Sequence, residues 1–243
     1  MKAIILAAGY GSRLLPVTRD VPKCLVRVGG REILALQLAA LAAAGVTEAV
    51  VVTGYRHAQV AAFLATGTPI PARTRFNPFW SVANSIGSVW EAREELMGDF
   101  CLMNGDTVFD PGVLAAAIGG AGEAVSLVVE PLAGAALDDM LVSVRAGRVA
   151  AVAKDLPAEQ ATHRSLGVIL GRGADNPYGD ALEQVIAAPE GQSSYHHAVI
   201  DRLAQDGVTV AAVERAAGRW QEIDRPEDVA AWAAAHGGAG ATA

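Results

Sequence analysis

The chain is short of several things, and each shortage removes a class of protein. Its 243 residues include two cysteines, Cys24 and Cys101. They stand far apart without metal-ligand spacing, which excludes a disulfide scaffold and a structural zinc module and makes a reducing cytoplasm the expected setting. Basic residues are outnumbered, 19 Lys and Arg against 26 Asp and Glu, for a formal charge of −7. A protein without an extended basic face is not expected to bind nucleic acid. No apolar run reaches the roughly 18 residues of a membrane span, because Gly, Arg or acidic residues interrupt each one, so no membrane partner is expected. The opening run from Met1 to Ala8 is followed by a glycine loop rather than a small-residue cleavage pattern. It is read as a core strand and not as a signal segment. Neither the GxGxxG of a dinucleotide fold nor the GxxxxGK[ST] of a P-loop occurs in that loop. No internal repeat is present.

What the chain does have is a hydrophobic composition of 52% and enough length to bury a full core as one α/β domain. Strand-like runs at about 2–7, 49–53, 72–76 and 99–104 alternate with helical patterns at about 32–44, 56–65 and 82–96. Such alternation predicts a mostly parallel central sheet with helices on both faces. Gly45 sits where a helix C-cap is expected. From Ala124 the texture changes to short strands at about 124–130, 140–145, 148–153 and 166–170. We read these as a small β-rich lobe inserted at about 124–170 in a single domain of 1–235, with a mobile tail at 236–243.

The strand Lys2 to Ala7 opens into Ala8, Gly9, Tyr10, Gly11, Ser12 and Arg13, and the segment closes on Pro22 and Lys23. Glycines without Cβ let the backbone take positive φ and approach a ligand, and successive N–H groups can converge on phosphate oxygens. Arg13 adds a planar cationic fork and Lys23 a mobile point charge. The cluster Arg13, Arg19, Lys23, Arg27 and Arg31 concentrates positive charge in an acidic chain; Arg19 and Arg31 are expected on its solvated rim.

Leu6 to Leu25, LAAGYGSRLLPVTRDVPKCL, resembles the signature of the nucleotidyltransferases that condense a nucleoside triphosphate with a phosphorylated small molecule and release pyrophosphate. The likeness implies a Rossmann-like, GT-A-like fold. It implies that Gly11, Ser12 and Arg13 hold the triphosphate, that Leu6, Ala7, Ala8 and Gly9 lie along the nucleotide, and that Lys23 meets the transferring or acceptor phosphate. It also implies Mg2+ as cofactor, held by Asp106 of Asn104-Gly105-Asp106 and by Asp224 of Trp220 to Asp224. Taken singly, Asp106 could instead close an Asx turn and Asp224 could cap a helix.

The pattern NPxWxxxNSxxS from Asn77 to Ser88 is similar to the bacterial phosphocholine cytidylyltransferases and their phosphonate-using cousins. It lacks the QPxGLA-type segment of the sugar-1-phosphate uridylyl- and thymidylyltransferases. The resemblance implies CTP as donor, with Asn77, Asn84, Ser85 and Ser88 on the nucleotide, and a small phosphate or phosphonate acceptor contacted by Lys154. The same residues read alone could be a turn, a first helical turn and a surface lysine. Where many relatives read YYED, this chain reads Tyr195, His196, His197, Ala198. Losing the acidic pair weakens a cationic head group and favours a neutral or anionic acceptor, unless the histidines are only partly exposed positions on a helix face or Asp138 and Asp139 supply a cation site instead.

Two other readings remain open at this level. A hexose-1-phosphate nucleotidylyltransferase using UTP, dTTP or GTP would share the opening loop. A non-catalytic nucleotide-sensing subunit would be expected to have lost Arg13, Lys23, Asp106 or Asp224, and all four are present. The absence of a left-handed β-helix carries the expectation of no second acyltransferase activity. A homodimer is compatible with the sequence, and no motif decides it.

Overall fold

The computed structural model describes residues 1–134 and 138–236. Of the tail expected to be mobile at 236–243, residues 237–243 lie outside the described residues, whereas His236 is held, stacked on Trp232 and 2.8 Å from Asp110 Oδ1.

The first half of the chain builds the sheet's parallel core. It comprises β1 (Lys2–Ala7), the short pair β2 (Arg27–Val28) and β3 (Arg31–Glu32), α1 (Ile33–Ala43), β4 (Glu48–Thr53), α2 (His57–Ala65), β5 (Ala72–Phe76), α3 (Ser85–Glu91), β6 (Phe100–Asn104) and β7 (Thr107–Phe109). The second half comprises α4 (Pro111–Gly120), β8 (Val125–Pro131), β9 (Leu141–Arg145), β10 (Arg148–Ala153), β11 (His163–Gly171), α5 (Tyr178–Ile186), α6 (Ala198–Gln205), β12 (Val210–Glu214), β13 (Trp220–Glu222) and α7 (Pro226–Ala235). Nine strands form one sheet in the order β5-β4-β1-β6-β11-β8-β12-β10-β9.

The expected direction holds through most of the sheet. Strands β5, β4, β1 and β6 are parallel neighbours, as are β8 and β12, and β11 threads between β6 and β8 in the opposite sense. The short strands expected as an inserted lobe continue this sheet: β8 and β11 lie inside it, and the β9–β10 hairpin forms its far edge. The predicted helix at 82–96 is shorter than its pattern, ending at Glu91 and tightening into a 3-10 turn over Arg93–Leu96. Pro111 begins a helix, α4, that the sequence pattern did not reveal; a proline is tolerated there because the first N–H groups of a helix have no internal partner.

Strands buried on both faces are continuously apolar, as in AVVV of β4. Alternate side chains then serve two cores. Ile5, Val51, Met103 and Val168 pack with Leu34, Leu38 and Leu114 from α1 and α4. Ile4, Val52, Leu102 and Ile169 pack with Ile86, Tyr178, Leu182 and Leu203 from α3, α5 and α6. Gly45 closes α1 with φ of 79°, and Val46 N–H reaches back to Leu41 O at 3.0 Å, as a C-terminal glycine permits.

A third cluster, Leu14, Val26, Val28, Ile33, Val108, Ile223 and Trp232, ties the opening loop to the end of the chain. Fully burying a side chain such as Ile223 contributes roughly 1.5–3 kcal/mol, so this small core holds distant segments in register. Among the described residues, no helix is long and apolar enough to cross a membrane.

Candidate active site

Because β1, β4 and β6 run in parallel register, with Ala7 beside Thr53 and Leu6 beside Asn104, their carboxyl ends open at one edge. Ligand sites of open α/β sheets lie at that edge. Tyr55 N–H donates to Ala8 O and Gly105 N–H to Leu6 O, each at 3.0 Å, which fastens the three exits together. The approach at Gly105 leaves no room for a side chain: a Cβ there would lie 2.5 Å from Leu6 O. In the loop, Gly11 takes φ of 69°, whereas Gly9 does not adopt positive φ. Only the second glycine of the pair therefore needs the freedom expected of both, and Thr18 Oγ1 fixes it by donating to Gly11 O at 2.8 Å.

Asp224 arrives from the other end of the chain. Strand β13 pairs with β7, setting Glu222 opposite Thr107, and Ile223 N–H donates to Asp106 O at 2.9 Å. Asp224 does not cap α7: Arg225 occupies that position, and the Asp228 carboxylate accepts the backbone N–H groups of Asp224 at 2.9 Å and Arg225 at 2.7 Å. The Asp224 side chain is thereby free to face the loop cations.

There Lys23 Nζ lies 2.6 Å from Asp106 Oδ2 and also binds Asp224 Oδ1. Arg13 reaches Asp224 Oδ2 at 3.0 Å and Asp138 Oδ1 at 3.4 Å. Burial opposes the Lys23 ammonium, yet Asp106 and Asp224 more than offset it and raise its pKa. Burial likewise opposes the Asp224 carboxylate, and Lys23 and Arg13 hold its pKa below the usual range. Glu222 sits behind them within reach of Asn104 Nδ2 at 3.3 Å; burial, followed by the charges of Asp106 and Asp224, pushes its pKa up.

The cleft is about 450 Å3 and contains every residue expected at the site except Asn77. Asn77 is fully buried behind it: its amide donates to Ser88 Oγ at 3.1 Å and its carbonyl oxygen accepts the Phe79 N–H at 2.8 Å. It shapes the turn, whereas Ser88, Asn84 and Ser85 line the cavity. Asn84 Nδ2 donates to Ser193 O at 2.8 Å, docking this segment on the 191–193 turn.

The histidines are not partly exposed helix-face positions. His196 and His197 are 2% and 4% exposed and precede α6. Ser85 Oγ lies 3.0 Å from His196 Nδ1, and Ser165 Oγ lies 2.9 Å from His197 Nε2. Burial lowers the His196 pKa to about 4 and drives that of His197 well below its ordinary value, with His196 and Lys154 adding to the second shift. Both rings are neutral near pH 7.

Several lining residues had no expected role, Trp80, Asn104 and Glu222 among them. Glu222 carried a signal, since it stands two residues before Asp224 and period-two alternation puts both on one side of a strand. Trp80 packs at a 55° tilt against Tyr55 with ring centres 5.6 Å apart, and Tyr55 meets Tyr10 edge-on at 4.6 Å; Gly54 leaves space for the indole, since a Cβ there would lie 2.4 Å from Trp80 Cβ.

A family model described as nucleotidyl transferase matches residues 2–125, the half of the chain that holds the glycine loop, Lys23 and Asp106. The chain belongs to the nucleotidyl transferase family. Among its relatives, the CMP-5'-(3-aminopropyl)phosphonate synthase of Streptomyces rubellomurinus is 36% identical over 237 residues, covering 94% of this chain and 37% of that protein. The choline-phosphate cytidylyltransferase of Streptococcus pneumoniae is 33% identical over 102 residues, covering 42% of this chain and 43% of that one. The chain thus matches well under two thirds of the length of either relative. In fold it is similar to the inositol-1-phosphate CTP transferase from T. maritima, with a TM-score of 0.79 at 22% identity over 93% of this chain and 90% of that one.

Proposed function

We propose that this chain is a Mg2+-dependent cytidylyltransferase that moves CMP from CTP to a small phosphate or phosphonate acceptor and releases pyrophosphate. The observation that carries this reading is the convergence of Arg13, Lys23, Asp106 and Asp224 in one cleft with Asn84, Ser85 and Ser88. The similarity to a CMP-phosphonate synthase along 94% of the chain supports the choice of nucleotide and acceptor class.

In this reading the backbone from Gly9 to Ser12 and the Arg13 guanidinium hold the triphosphate. The exit of β1 at Leu6 to Ala8 lies along the nucleoside, with Asn84, Ser85 and Ser88 at the base and Trp80 as an additional wall. An acceptor phosphoryl oxygen is already anionic near neutral pH and needs no protein base. It attacks the α-phosphorus, a new P–O bond forms, and the bond to the bridging oxygen breaks as pyrophosphate leaves with the electron pair.

The obstacle is repulsion between anions. Two unit charges 4 Å apart interact by about 4 kcal/mol at an effective dielectric near 20, so cations fixed beside them lower the barrier substantially. Alignment for in-line attack contributes much of the rest. Asp106 and Asp224 fit a hard divalent ion: both are oxygen donors, and the buried Asp106 Oδ1 has no hydrogen-bond partner. Among the described residues no three His, Cys, Asp or Glu side chains form a metal cage, which suits Mg2+ completed by phosphate oxygens and water. When bound, the ion would offset phosphate charge during transfer.

Pyrophosphate release measured with CTP, UTP, GTP and dTTP against a panel of small acceptors tests the reading. Release is expected with CTP and a phosphate or phosphonate. Preference for UTP with a hexose 1-phosphate, or no release with any pair, would overturn it.

A further inference from the structure

The cleft has a second group of lining residues whose contacts are with one another and not with the carboxylates. Lys154 Nζ lies 4.6 Å from the centre of the Tyr195 ring. Tyr195 leads directly into His196 and His197, which are held by Ser85 and Ser165. Of these residues only Lys154 carries charge, because both imidazoles are neutral.

The aspartates lining the cleft are each paired with a cation of the chain, and Glu222 meets a neutral amide. Asp106 is held by Lys23, Asp224 by Lys23 and Arg13, Asp138 by Arg13 and Arg225, and Glu222 by Asn104. Among the described residues Lys154 has no ion-pair partner. A quaternary ammonium is ordinarily recognised by an aromatic face, and here the Tyr195 face already carries the chain's own ammonium. A cationic head group would meet a like charge, and the aspartates near it already pair with the chain's own cations. An anionic one would meet an unpaired lysine between neutral polar walls.

On the reading that the chain is a cytidylyltransferase, we infer that Lys154 selects the acceptor by pairing with a carboxylate carried beyond the transferring phosphoryl group. The acceptor class is then a small carboxylated phosphonate or phosphate. Lys154 is a specificity residue and Tyr195 its platform, while Ser85 and Ser165 position the imidazoles that close the site.

Lys154 is exposed, so substituting it leaves the fold intact. The test compares kcat/KM with CTP for 3-phosphonopropionate, 2-hydroxyethylphosphonate, 2-aminoethylphosphonate and phosphocholine in the wild type, Lys154→Met and Lys154→Glu. The carboxylated acceptor is expected to lead the two cationic ones by tenfold or more. Lys154→Met should erase its advantage over the hydroxyethyl compound, and Lys154→Glu should make 2-aminoethylphosphonate the better substrate. Best turnover with phosphocholine or 2-aminoethylphosphonate overturns the inference, as does an equal loss on all four acceptors in Lys154→Met. Calorimetric binding of the same compounds beside a non-hydrolysable CTP analogue reads the selection without chemistry. Tighter binding of 3-phosphonopropionate than of phosphocholine supports the inference, and equal or reversed affinity overturns it. Absence of turnover with every acceptor would count against the cytidylyltransferase reading alone.

Discussion

Lys23 and Asp106 stand 83 positions apart in sequence and 2.6 Å apart in space, with Asp224 closing on the same ammonium from the far end of the chain. This lysine bridges the two carboxylates assigned to the metal, and Arg13 adds a second cation at Asp224. Lys23 also stands beside the glycine loop assigned to the triphosphate.

That double position makes its removal selective. Lys23→Ala is expected to lower single-turnover pyrophosphate release on the order of 10²–10³-fold, the range for losing one preorganised group that stabilises developing charge. The dissociation constant for CTP, titrated by fluorescence, should change only a few-fold because Arg13 and the loop backbone remain. Unchanged turnover would remove Lys23 from the transfer step.

Metal binding should respond in the opposite direction. A divalent ion entering the nucleotide-free chain must displace the Lys23 ammonium from both Asp106 and Asp224. Manganese affinity measured by electron paramagnetic resonance without nucleotide is therefore expected to be weak in the wild type and about tenfold or more tighter in Lys23→Ala. Adding Asp224→Asn should abolish the gain. Equal affinity in the wild type and Lys23→Ala would show that the ion binds elsewhere.

Gly105 is a packing requirement. A Cβ at this position would lie 2.5 Å from Leu6 O and 2.8 Å from Ala7 Cα, both backbone atoms that cannot rotate away. Gly105→Ala should cost about 2–3 kcal/mol and lower Tm by roughly 5–10 °C, read by calorimetry. A shift below 1 °C would mean that the β1 and β6 exits separate freely.

The buried histidines predict an acid limit to stability. Unfolded, each takes a proton near its ordinary pKa of 6.5; folded, burial lowers His196 to about 4 and holds His197 well below 6.5. Below pH 6.5 the unfolded state binds more protons, so stability falls as pH falls, by about 1.4 kcal/mol per pH unit for each ring. Their contribution is fully present above pH 6.5 and is lost progressively toward pH 4. Urea unfolding between pH 5 and 7 should show a shallower pH slope in the double variant His196→Asn, His197→Asn. An unchanged slope would mean that the rings protonate in place.

Local sequence determined the parts that depend on backbone and composition. The apolar runs of β1, β4 and β6 demand burial on two faces, Gly45 supplies the left-handed turn that ends α1, and the spacing from Gly9 to Lys23 sets cations beside a glycine loop. Tertiary structure decided what depends on non-local pairing. The β13–β7 ladder and the Leu14, Val108, Ile223 cluster place Asp224 beside Asp106, and β11 inserts against β6 to bring Ser165 to His197. A histidine pair in a sequence does not state its burial, and a lysine does not state whether its partner is a carboxylate or a tyrosine ring. Those properties, and with them the neutrality of His196 and His197 and the unpaired charge of Lys154, arise only when distant segments exclude water from one cleft.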